Sequence, residues 1–230
     1  MRIPSLLLLF CLIPTSVFAS TTAEREFTCP LDGKSFKAVV AMSGTSYGLM
    51  LDMAPYGPII TPWPVAECPE DGLLLYKDFT EQDIAVLRPY VQSAEYQTMR
   101  TNKETPYRRM AALEEKLGVP RSMLWRTLLQ ATWEAGGEQY PRYARETAAA
   151  IEEFLTVEKE DVEEITTAKM VYGELNRRLG DFSKAQRTFE ALRNDPAVAA
   201  NEPVRGIVDY QLELIKAKDT KPHQCPKQKK

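Results

Sequence analysis

The chain has 230 residues, with 29 Lys and Arg against 32 Asp and Glu, a formal net charge of −3 and a single His. Mild acidity excludes a nucleic-acid binder, because a phosphate backbone demands clustered Lys and Arg. Charge is uneven all the same: residues 152–164 hold seven acids against one Lys, and residues 216–230 hold six Lys against one Asp. Such runs read as a solvated face and a flexible basic tail, whose further implication is at most a weak contact with anionic lipid.

In chain order, Arg2 precedes the apolar run Leu6–Ile13, Pro14 breaks it, and Val17-Phe18-Ala19 ends on a small residue. A charged start, a short apolar core and a small-residue exit make residues 1–19 a secretory signal peptide, with the mature chain beginning at Ser20. The run is too short for a spanning helix, which needs about 20 apolar residues. No stable membrane span is expected. The protein is expected to be exported, to the periplasm or the extracellular space. Loss of the leader removes one Arg and no acid, moving the net charge to −4.

Residues 20–26 read as a flexible leader, and Ser35–Met42 as a strand rich in β-branched and apolar side chains. Residues 43–64 carry Gly44, Gly48, Gly57, Pro55, Pro58, Pro62 and Pro64 and read as loop. Thr80-Glu81-Gln82-Asp83 is a capping box, and Ile84, Leu87 and Val91 follow at helical spacing. Further helices are predicted over 106–117, 121–135, 139–155, 161–179, 183–194 and 203–217. Their punctuation is Thr105-Pro106, Gly118-Val119-Pro120, Gly136-Gly137, Gly180-Asp181 and Asp195-Pro196. The fold class is mainly α. A small knuckle or β-hairpin-like domain (20–100) precedes a tetratricopeptide-like helical repeat domain (101–217), and residues 218–230 form the tail.

Two motifs carry chemistry. Cys29-Pro30-Leu31-Asp32-Gly33 and Cys68-Pro69-Glu70-Asp71-Gly72 repeat one pattern, in which Pro fixes one backbone angle and Gly supplies a positive φ. Zinc ribbons use facing Cys-Pro-x-Cys-Gly turns, but here Asp replaces the second Cys. Three readings stay open. A disulfide between Cys29 and Cys68 suits an oxidising compartment and would stabilise by roughly 3–4 kcal/mol through the long loop it closes. Asp32 and Asp71 would then be turn-formers, accepting from nearby backbone N–H groups. A zinc site of Cys29, Asp32, Cys68 and Asp71 is the second. The third completes a metal site with His223 and Cys225 from the tail. The disulfide is taken forward, with Cys225 left free or pairing between chains.

The second motif is Gly173-x6-Gly180-x-Phe182-x2-Ala185-x3-Phe189, the spacing of a tetratricopeptide repeat. Small Gly173 and Ala185 fit a close helix crossing, Gly180 ends the first helix, and Phe182 and Phe189 fill the gap. Trp125 and Leu128 take matching positions about 44 residues earlier.

The two turns, Tyr56-Gly57-Pro58 between them, Asp78-Phe79 after them and the helices from 106 onward together resemble a bacterial family of unknown function. Its members place paired Cys-Pro-x-Cys-Gly knuckles before tetratricopeptide-like helices. The resemblance implies zinc in the knuckles, and Asp32 and Asp71 depart from it at the second cysteines. It implies no reaction.

Function is therefore expected to be that of a non-enzymatic scaffold binding a protein or peptide partner at the cell envelope, without a cofactor. A repeat stack exposes a concave surface lined by first helices. Thr167, Met170, Glu174, Arg177 and Arg178 are predicted to line it in one unit, and Met123, Arg126, Gln130 and Trp133 in the earlier one. No carboxylate-clamp pattern of Lys and Asn occupies these positions. The alternative is a zinc-binding module. An enzyme working through carboxylates is a third class. Against it stand a His confined to the tail and the lack of a Cys-x-x-Cys, a phosphate loop or a nucleophile elbow.

Overall fold

The computed structural model describes residues 20–226; the expected signal peptide lies outside the described residues. Strand β1 (Thr21–Thr28) pairs antiparallel with β2 (Ser35–Ser43), in a register that sets Phe27 opposite Phe36. The two rings stack 5.8 Å apart. Residues 20–26 thus correct the expected flexible leader: β2 supplies the ladder partner, which local composition does not reveal. Two short pairs follow, β3 (Gly48–Leu49) with β4 (Pro55–Tyr56), and β5 (Ala66–Glu67) with β6 (Leu74–Leu75) around the second turn.

Helix α1 (Glu81–Val91) opens on the expected box: Asp83 N–H donates to Thr80 Oγ1 at 3.1 Å and Thr80 N–H to Asp83 Oδ2 at 2.9 Å. Helix α2 (Ala94–Thr101), capped by Ser93, was not anticipated. It clamps the second turn: Tyr96 Oη donates to Gly72 O at 2.6 Å, and Gln97 to Asp71 O at 2.8 Å. Then come α3 (Pro106–Lys116), a 3-10 turn (Arg121–Met123), α4 (Trp125–Glu134), α5 (Tyr140–Val157), α6 (Val162–Arg178), α7 (Phe182–Arg193), the short α8 (Pro196–Ala199) and α9 (Glu202–Lys216). The fold is mainly α with small β pairs at the N-terminal end, and α3 to α7 pack each on the next in a repeat-like stack.

Among the described residues, three apolar clusters hold the fold together. The first joins Cys29 and Cys68 to Leu73, Leu87, Tyr96, Leu113 and Tyr143, welding the turns to the helices. The second fills the middle of the stack around Trp125, Ile151, Phe154 and Val171. The third gathers Ala185, Phe189, Leu192 and Val208. The close crossing expected at Gly173 is present: a Cβ there would lie 2.5 Å from the Phe189 ring, so no larger side chain fits without displacing it.

Candidate functional site

The two knuckle turns are built alike. Gly33 N–H donates to Cys29 O at 2.8 Å and Gly72 N–H to Cys68 O at 2.9 Å. Asp32 Oδ1 accepts from Lys34 N–H and Asp71 Oδ1 from Leu73 N–H, each at 3.0 Å. Both Asp are therefore turn-formers, as their short acceptor side chains allow. Cys29 and Cys68 form a disulfide, with Cα atoms 5.6 Å apart and exposures of 2% and 1%.

The zinc alternative does not fit this form. Ligand atoms of Cys29, Cys68 and Asp71 lie within 4.8 Å of one another, yet both sulfurs are spent on each other, and structural zinc takes thiolates. Asp32 stands outside that group. The tail residues do not join it either. His223 pairs with Asp219 at 3.0 Å, and the Cys225 thiol donates to Met50 O at 3.3 Å. Burial pushes that thiol up to about 11, which makes it a poor nucleophile at neutral pH.

The expected concave surface needs a larger correction. Met170, Glu174 and Arg177 are buried, Arg177 completely. Arg177 donates to Glu174 at 2.9 and 2.8 Å, to Gln211 Oε1 at 3.0 Å, to Lys221 O at 2.9 Å and to Asp219 O. Gln211 returns a bond to Glu174 at 2.8 Å. The cause is the packing of α6 against α7 and α9 and, for Arg177, the tail. Residues 218–226 fold back over α6 and α9 instead of hanging free: Leu51 N–H donates to His223 O and Cys225 N–H to Leu49 O, at 2.9 and 2.8 Å. Arg178 is likewise occupied, bound to the buried Asp52 at 3.1 Å with its guanidinium 3.9 Å from the Tyr140 ring centroid. Thr167 is half-buried. Burial pushes the Asp52 carboxyl up, and takes that of Glu174 to about 7 against the pull of Arg177 and Gln211.

The earlier set fares differently. Met123 is 59% exposed, and Arg126 is exposed over the Trp125 ring and paired with Glu164 at 3.1 Å. Gln130 and Trp133 are half-buried, and Trp133 Nε1 donates to Asp52 O at 3.2 Å. These last two line crevices at a seam that the sequence reading did not place.

Along that seam the Pro-rich segment and β5, residues 50–67, meet α2 to α6. Three crevices open there, of about 950, 510 and 230 Å³. In the first, Glu67 accepts from Arg109 at 3.0 and 2.5 Å and from Arg100 at 3.2 Å, while burial pushes the Glu134 carboxyl up. The second holds Trp63, Tyr76, Tyr107, Met110, Glu114 and Gln130 among its walls. Tyr107 Oη donates to Trp63 O at 3.0 Å, pinning the backbone while Trp63 stays 48% exposed. The third is walled by Asp52, Trp133, Tyr140 and Arg178. Each crevice borders buried polar atoms without a partner among the described residues: Arg109 Nε, then Tyr76 Oη and Glu114 Oε2, then Tyr140 Oη and Arg178 Nε. Trp63, Tyr76 and Glu114 were missed because each is an isolated residue in sequence. The one available signal was a Trp held between Pro62 and Pro64.

The chain matches no family model, no curated protein and no solved structure.

Proposed function

We propose that this chain is an exported, non-enzymatic scaffold that binds a protein or peptide partner at the cell envelope, using the seam between its N-terminal module and its helices. The observation that carries the reading is Trp63. Its backbone is tied to Tyr107, yet its ring is half exposed beside the second crevice. A pinned aromatic at the mouth of a concave, mostly apolar site suits a binding anchor: little entropy remains to be lost, and much area remains to be buried. Ile60 and Val39 add exposed apolar surface on the same module. Export is supported by the leader pattern and by a disulfide that suits an oxidising compartment. No helix among the described residues is long and apolar enough to cross a membrane. Within this proposal the chain is an exported variant of the knuckle-and-repeat family it resembles, with a disulfide in place of the metal. The test compares Trp63→Ala with wild type in capture of partners from envelope extract, alongside thermal melting. Loss of a captured partner with an unchanged melt supports the reading. Equal capture removes the seam from it.

A further inference from the structure

We infer that the second crevice is a recognition pocket for a primary ammonium on an apolar stem, the side chain of a lysine in a partner polypeptide, with the Glu114 carboxylate and the Tyr76 hydroxyl as its acceptors. The inference rests on the peptide-binding reading above and gives it a chemistry. The pocket of about 510 Å³ has walls from Phe27, Val40, Leu75 and Met110, which suit methylene groups. Among the described residues, Glu114 is its one charged wall residue, and no Lys, Arg or His lines it. Glu114 Oε2 and Tyr76 Oη are both buried without a hydrogen-bond partner among the described residues. A buried acceptor left unmade costs about 1–3 kcal/mol, and more when charged, so two beside one cavity call for a ligand that satisfies them.

The energetics of the two groups agree. Burial pushes the Glu114 carboxyl up, and only the Thr127 hydroxyl pulls the other way; no cation offsets its desolvation. The Glu114 charge also raises Tyr76, so the two groups sense each other. An incoming cation would replace the missing counter-charge where the local dielectric is low. The geometry selects ammonium over guanidinium. A guanidinium fork is matched to both oxygens of one carboxylate, whereas here one carboxylate oxygen and a separate phenol oxygen are unbonded, and three divergent N–H groups can serve both. At the mouth, the exposed Trp63 ring offers a face to the cation on its way in and apolar area to the stem.

The test is calorimetric titration of the full chain with a capped pentapeptide bearing one central lysine. Comparators carry Nε-acetyl-lysine or arginine at that position, and butylamine is titrated separately. The lysine peptide should bind about tenfold or more tightly than the acetylated one, the range expected for charge-assisted hydrogen bonds. Glu114→Gln should lose a similar factor while melting no lower than wild type, and Tyr76→Phe should lose about threefold. Equal affinity for the lysine and acetyl-lysine peptides in wild type overturns the inference without recourse to any variant. So does a preference for arginine, or a folded Glu114→Gln that binds as well as wild type. Butylamine binding as tightly as the peptide would assign the pocket to a small amine and overturn the partner lysine. If the lysine peptide fails while Trp63→Ala still loses its envelope partner, the pocket inference falls and the scaffold reading stands.

Discussion

Two glutamates at separate places in the helical stack, Glu174 on α6 and Glu114 on α3, have lost their water in opposite ways. Glu174 is 1% exposed and accepts three hydrogen bonds, two from Arg177 at 2.9 and 2.8 Å and one from Gln211 at 2.8 Å, with Gln211 in turn accepting from Arg177, so that its charge is built into the packing. Glu114 on α3 keeps Oε2 buried and unbonded beside an open crevice. Burial raises both carboxyls. What separates a structural charge from a functional one here is therefore the partner count, not the desolvation. The Glu174 charge is bonded from α6 and α9, and through Arg177 the same cluster holds the tail. A charge held only by the Thr127 hydroxyl, with Oε2 unbonded among the described residues, ties little together.

The strongest way to break this contrast is to empty one side of it. Arg177→Ala leaves Glu174 buried without its cation and removes the bonds to the tail, so it should destabilise by about 3–5 kcal/mol, measured by denaturant unfolding. A loss under about 1 kcal/mol would mean that water reaches the site and that the clasp is an ordinary surface pair. Cys29→Ser with Cys68→Ser removes a crosslink between residues 39 apart. It should cost roughly 3–4 kcal/mol, and reductant should have the same effect on wild type.

The pH dependence sharpens the contrast further. The native state holds the Glu174 proton up to about 7, whereas an unfolded glutamate releases it near 4.5. Between those values the native state binds more protons, so stability falls as pH rises through the window. Asp52, Glu114 and Glu134 shift in the same direction and share the slope. Glu174→Gln should flatten it in part, read from melting temperature against pH; an unchanged slope would assign it to the other three. The smallest effect belongs to Glu114→Gln. It removes a desolvated charge with no cation to strand and leaves an amide oxygen for the Thr127 hydroxyl, so it should leave stability within about 1 kcal/mol of wild type, on the stabilising side. A large loss there would mean that Glu114 is structural after all.

What the sequence determined by itself is what a few neighbouring residues can encode. Thr80 and Asp83 write a capping box, Thr105-Pro106 writes a helix start, and Gly173, Ala185 and Phe189 write a close crossing; all three stand in the structure. The matched turns narrowed Cys29, Cys68 and their Asp residues to a disulfide with turn-forming Asp or a metal site, and the structure holds the first. Tertiary structure alone decided the rest, because the partners lie far along the chain. Arg178 meets Asp52 across 126 positions, and Cys225 meets Met50 across 175. A basic tail and an Arg-Arg pair look solvated when no partner is in view, and residues 20–26 look loose until β2 lies beside them. The seam belongs to the same class. Trp63, Tyr76 and Glu114 share no local pattern, and only the packing of residues 50–67 against the helices brings an apolar wall, a phenol and a lone carboxylate to one cavity.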